Sequence, residues 1–274
     1  MIFAAAEETA AHTAEGGASV SDVIFEHVSN ARELDLPFIG KVELPEWYLF
    51  GVDVSLTKHA VFMFVSAALL LVVFSIWGRK RSLVPKGFYN LLEMIVLFIR
   101  DEIADKNIGH DGALYTPYLC TIFFFILFMN LVGLVPFTAT ATANLNVTVV
   151  LAAMTFFVTQ YAAIRSNGIG GWLKALTGGV HWLLWPIMVP VEILGLFTKP
   201  FALTVRLFAN MIAGHIVIFF LLGLIFLIHA AVAPVSIAFA LGIFMLELFV
   251  ALVQAYVFTM LSSLFIGMAA SHSH

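Results

Sequence analysis

The chain has 274 residues, of which 62% are hydrophobic and only 11% charged, and it carries a formal net charge of −4. With a mean hydropathy of +1.03, it has too little polar surface to cover a soluble globule of this length, so the soluble classes are excluded and the bilayer is its solvent. The charge total says little, because ten of the seventeen acids precede residue 54, and the single cysteine, Cys120, supplies neither a disulfide framework nor a Cys-built metal site.

Residues 1–55 read as a polar, acidic N-terminal segment, mobile in part, with turn signals at Leu36-Pro37 and Leu44-Pro45. Its opening, MIFAAAEETAA, has no basic start and too short an apolar core for a secretory signal, so the N-terminus is expected to be retained. Residues 56–274 form the membrane domain. A first span is expected over 58–77, just long enough for about 30 Å of hydrocarbon, and it ends at GRKR, Gly78–Arg81. Over 87–106, polar Asn90, Glu93, Arg100, Asp101 and Glu102 interleave with Leu, Ile and Phe, which predicts a helix lying on the membrane surface. Further spans are expected over 115–136 and 146–165. GIGG at Gly168–Gly171 then breaks the chain; without a following Lys-Ser/Thr it is a turn, not a phosphate loop. Two long apolar segments, 189–229 and 235–270, would overshoot the hydrocarbon if upright, so they are expected to form a slanted hairpin turning at Ala233-Pro234. The predicted fold class is an all-α integral membrane protein, with about five membrane-embedded helices and one surface amphipathic helix.

Arg79, Lys80, Arg81 and Lys86 follow the first span, and Arg165 with Lys174 follows the fourth, whereas 137–144 and 230–234 carry no Lys or Arg. By the positive-inside rule the basic ends are cytoplasmic, which places the N-terminus outside and His272 and His274 inside.

Arg206 lies within the run KPFALTVRLFANMIAGHIVIFFLLGLIFLI, Lys199–Ile228. Guanidinium does not deprotonate, and a charge at bilayer centre costs from about 3 to more than 10 kcal/mol. Snorkelling is the plainer explanation, although Arg206 sits two turns beyond Lys199. The other ionisable groups in the membrane interior are Glu192, Lys199, His215 and Glu247. At helical spacing Asn210 and Ala213 project near Arg206, while His215 points to nearly the opposite side, about 13 Å along the axis. Glu247 and Gln254 share one face of the last helix, and an antiparallel hairpin places residues 215 and 247 at comparable depths. Histidine titrates near neutrality, and desolvation disfavours the charged form of a carboxylate. The set therefore reads as a proton path beside a fixed cation. A lone His bonded to a carbonyl is the duller alternative, which Glu247 weakens, since an unpaired carboxylate in lipid is not filler.

KPFALTVRLFANMIAGH, with LELFVALVQAYVFTML at Leu246–Leu261, resembles the signature of subunit a of the F-type ATP synthase, the membrane stator beside the rotating c-ring. The likeness extends to GRKRSLVP, to the surface helix, to FMNLVGLVPF at Phe128–Phe137 and to NLNVTVVLA at Asn144–Ala152, and covers about residues 50–270. It implies a proton-translocating subunit with two offset half-channels that load and unload the c-ring carboxylates. In that reading Arg206 is the essential stator arginine separating them, Asn210 and Gln254 are polar residues near the contact, and Glu192 belongs to the cytoplasmic exit path. His215 and Glu247 match the interacting pair of the outer access path, with histidine and carboxylate exchanged relative to some well-known bacterial members. Asn144 falls where other members carry an aspartate. The implied partners are the c-ring, packed against the last hairpin, the peripheral-stalk b subunits and lipid; the long N-terminal segment and the Lys/Arg asymmetry favour a bacterial inner membrane over an organelle membrane.

Two other classes remain to be weighed. A b-type cytochrome would use His215 and His229, fourteen apart on one segment, but 235–270 offers no facing histidine. A stand-alone channel or transporter suits the buried charges, yet the sequence shows no internal repeat. The sequon at Asn146-Val147-Thr148 begins a span, and the terminal histidines read as a tail and not a metal site. No cofactor, metal, nucleotide or nucleic-acid site is expected, so ATP chemistry would belong to other subunits.

Overall fold

The structure, a computed structural model, describes residues 33–36, 40–43, 48–49, 52–53, 57–77, 87–135, 138–178, 181–227 and 232–271. In the N-terminal segment it contains two antiparallel strand pairs, β1 (Glu33–Leu36) with β2 (Gly40–Glu43) and β3 (Tyr48–Leu49) with β4 (Val52–Asp53), which the sequence did not announce. β1 stops immediately before Pro37, a residue that cannot donate to a ladder.

Beyond residue 57 the described chain is helical, and five stretches are long and apolar enough to cross a membrane. Helix α1 (Lys58–Trp77) is apolar on all sides and turns Phe64, Leu71 and Val72 outward, as a lipid-facing span does. The expected surface helix and the next span form one continuous run instead of two separate pieces. In it α2 (Phe88–Phe98) passes through a π-helical turn at Ile99–Ala104 into α3 (Asp105–Ile108), a 3₁₀ turn at Gly109–Asp111 and α4 (Gly112–Gly133). The π-turn buries Ile99, Ile103 and Ala104 and leaves Arg100 and Asp101 exposed, paired at 2.7 Å. Helix α5 (Leu145–Leu176) does not stop at GIGG; Gly168 adopts φ 68°, which favours glycine, and the helix resumes after this kink. Helix α6 (Trp185–Leu227) and α7 (Ala233–Ser271) complete the chain. Ala233 and Pro234, expected at a turn, instead begin α7, where the missing N–H of Pro234 is no loss; residues 228–231, with His229, lie outside the described residues, as does most of 1–55.

The chain divides into two compact units. The first comprises Met1–Ala68, Phe128–Asn144 and Phe208–Leu252. Its core holds Met129, Ala141, Met211 and Ala251 together with an unusual number of buried polar groups. Asn130, fully buried, accepts from the Thr142 hydroxyl at 2.6 Å and donates to the Ala251 carbonyl at 3.4 Å. The Ser236 hydroxyl bonds the Leu221 carbonyl, holding the start of α7 to the late turns of α6.

The second comprises Leu69–Leu127, Leu145–Leu207 and Val253–His274. Here α7 presents Ala255, Thr259, Ser262, Ser263 and Ile266, all buried and at helical spacing, as a small-residue face of the kind that lets membrane helices approach closely. Ser263 donates to the Ile103 carbonyl at 2.9 Å, and Tyr118 and Ser262 lie 2.8 and 3.4 Å from the Thr155 hydroxyl.

Candidate functional site

Three stretches of the first unit converge on His215. The end of α4 contributes the Gly133 carbonyl. The segment leading into the 3₁₀ turn Ala141–Ala143 contributes Thr140, and α7 contributes Glu247. Glycine at 133 is required by this packing, since a Cβ there would collide with the Thr140 side chain. Gly214 is required likewise, since a Cβ would occupy the place of the Glu247 carboxylate.

The imidazole is held on both sides. Nδ1 lies 3.0 Å from the Met211 carbonyl and 3.3 Å from Glu247 Oε1; Nε2 lies 2.9 Å from Thr140 Oγ1 and 3.2 Å from the Gly133 carbonyl. Glu247 is 6% exposed, yet its Oε1 has no aligned hydrogen-bond partner among the described residues. Met211 takes the in-line position at Nδ1, so the 3.3 Å approach is a close charge contact and not a well-directed hydrogen bond. A buried carboxylate oxygen left open beside an imidazole can accept a proton over a short distance, which is the chemistry the site offers.

The other sequence-singled residues are not drawn into this cluster. Asn144 ends the 3₁₀ turn in an extended conformation, half-buried, with its amide donating to the Ala141 carbonyl at 3.2 Å. Asn210 is exposed on α6. In the second unit, Gln254 is buried on α7 and Arg206 is half-buried on α6. Among the described residues Arg206 has neither an ion pair nor a hydrogen bond, so its counterion is not supplied by them. Glu192 lines a cavity of about 70 Å³ within that unit, with room for several waters. Thr159, Gln160, Asn167, Trp172 and Lys199 share its wall. Trp172 donates to Gln160 at 2.9 Å, Lys199 lies 5.6 Å over the Phe265 ring, and Asn167 Oδ1 is buried without a partner among the described residues.

Among the described residues, no three His, Cys, Asp or Glu side chains gather as metal ligands would. Thr140, Gly133, Gly214 and the cavity amides escape a reading of the sequence alone. The signals present were weak: an Asn130 amide in a Phe-rich span, and a glycine directly before a membrane histidine.

Comparison with known proteins gives the same family as the residue pattern. The family profile described as ATP synthase A chain matches residues 60–267. The ATP synthase subunit a of Myxococcus xanthus (strain DK1622) is 64% identical over 228 residues, covering 81% of this chain and 75% of that protein. That of Chloroherpeton thalassium (strain ATCC 35110 / GB-78) is 57% identical over 252 residues, covering 90% of this chain and 76% of the relative. ATP synthase subunit a 2 of Prosthecochloris aestuarii (strain DSM 271 / SK 413) is 47% identical across 99% of this chain and 89% of its own length. With its long apolar helices and a profile match over most of its length, the chain belongs to the ATP synthase A chain family, that of subunit a.

Proposed function

We propose that the chain is the proton-conducting stator of a rotary F-type ATP synthase in a bacterial inner membrane, working against a c-ring and held by peripheral-stalk b subunits. The observation that carries this reading is the contact of His215 on α6 with the buried oxygen of Glu247 on α7, which has no aligned hydrogen-bond partner among the described residues. This pair takes up protons on the outer path, with Asn144 at its margin. The cavity lined by Glu192, large enough for several waters, belongs to the exit path. Asn210 and Gln254 flank the contact with the ring.

Arg206 is the barrier that keeps a proton from crossing directly from one path to the other. A ring carboxyl crosses lipid only when neutral and must ionise on meeting the stator; Arg206, which has no counterion among the described residues, stabilises that ionised state and repels a hydrated proton. The charge needs a planar, weakly hydrated and permanently protonated head, which lysine does not provide.

The test is ATP-driven proton pumping together with passive proton flux in vesicles carrying the assembled complex. Arg206→Ala is expected to abolish pumping and raise passive leak, and Arg206→Lys to abolish coupled synthesis as well. Pumping that survives Arg206→Ala in an assembled complex would exclude the stator role.

A further inference from the structure

We infer that Thr140 is a positioning residue that keeps the proton of neutral His215 on Nδ1, the nitrogen facing Glu247. The inference rests on reading His215 and Glu247 as the outer access pair.

Each ring nitrogen of His215 faces a backbone carbonyl, Met211 at Nδ1 (3.0 Å) and Gly133 at Nε2 (3.2 Å). A carbonyl only accepts. The imidazolium satisfies both with its two N–H groups. A neutral ring has one bare nitrogen, and either choice points a lone pair at a carbonyl oxygen unless a donor covers it. Thr140 Oγ1, 2.9 Å from Nε2, is the hydroxyl placed to do so. It is 2% exposed, so water is a poor substitute.

The two sides of the ring are thereby made unequal. With the Thr140 O–H donating to Nε2, the remaining proton stays on Nδ1 between Met211 and Glu247 Oε1. When a proton bonds to Nε2, the hydroxyl turns away and the new N–H donates to the Gly133 carbonyl or to Thr140 Oγ1. Glu247, from α7, is the one titratable group in contact with the ring among the described residues; α4 and the segment before the 3₁₀ turn contribute only Gly133 and Thr140.

Removing the hydroxyl removes a hydrogen bond from the neutral ring but leaves the charged ring its Gly133 acceptor, so it favours the charged form. Passive proton flux through the assembled complex in vesicles, followed from about pH 6 to about pH 9 to bracket the histidine range, reads this out. Thr140→Val, nearly isosteric, is expected to move the flux profile upward by about half to one pH unit, the worth of one hydrogen bond. Thr140→Ala must move it the same way, whereas Thr140→Ser, which keeps the donor, must retain the wild-type profile. An unshifted profile in both donorless variants, a loss of flux by one factor at every pH, or a Ser variant that behaves like Val overturns the inference. His215→Ala separates this from the underlying assignment. Wild-type flux in His215→Ala overturns the pair reading and the inference together, while lost flux there beside an unshifted Val profile overturns the inference alone.

Discussion

At the scale of single residues, position 214 has no room for a methyl group, because the carboxylate of Glu247 fills the place where a Cβ would stand. Overpacking of this kind costs about 1–3 kcal/mol, which corresponds to about a 5- to 150-fold loss of the native arrangement. Glu247 is the part that can give, so the 3.3 Å approach to His215 is what Gly214→Ala breaks. Proton flux through the assembled complex should fall within that range, and shortening the acid in Gly214→Ala/Glu247→Asp should recover part of it. Flux unchanged in the single variant would show that the carboxylate position does not matter. Arg206, His215 and Glu247 are legible in the sequence because a charge among apolar residues is conspicuous and expensive. Thr140, Gly133 and Gly214 are not. Threonine and glycine are ordinary in membrane helices, and what distinguishes Thr140 is a contact with a residue 75 positions away, which no local pattern encodes.

Among the elements, α7 shows how membrane helices pack without a hydrophobic driving force between them. Below Ser262 and Ser263, Gly267 lies against the Asn107 carbonyl so closely that a Cβ would overlap it. Just upstream, the Ile103 carbonyl of the π-turn accepts from both the Ser263 hydroxyl and the Asn107 side-chain amide, each at 2.9 Å. Gly267→Ala must therefore push α7 off α3, at a cost of about 1–3 kcal/mol. The expected result is a lower thermal midpoint of the detergent-solubilised complex and less of this subunit retained in it, and Gly195→Ala, where the added Cβ meets nothing, is the control. α1, α6 and α7 are legible in the sequence as long, nearly uninterrupted apolar runs, whereas α5 continues past the expected end at 165 to Leu176. The π-turn is not legible, since one inserted residue barely disturbs a mixed apolar pattern. The GIGG break was over-read for a different reason. Gly168 supplies only a kink, and Trp172 and Asn167 tie the chain back through Gln160 and the Ala269 carbonyl, at 2.9 and 3.1 Å.

For the whole molecule, the proposed orientation is a statement about charge. The basic cluster Arg79, Lys80, Arg81 and Lys86 lies on one side of the first span, while 230–234 carries neither Lys nor Arg. Lys and Arg near span ends are retained in the cytoplasm, and acids contribute little, so the acid-rich N-terminal segment does not oppose an outside location. The single cysteine simplifies the test, because Cys120→Ser removes this chain's own thiol, so that label on this subunit reports the introduced cysteine alone. In that background a membrane-impermeant maleimide should label Lys80→Cys only in inside-out vesicles and Ala230→Cys only from the outside of intact cells. The reverse pattern inverts the molecule and with it the assignment of the His215–Glu247 path to the outer face and the Glu192 cavity to the inner one. Labelling of both positions from one side breaks the alternation of spans on which the orientation rests, because the spans expected over 115–136, 146–165 and 189–229 put an odd number of crossings between these two loops.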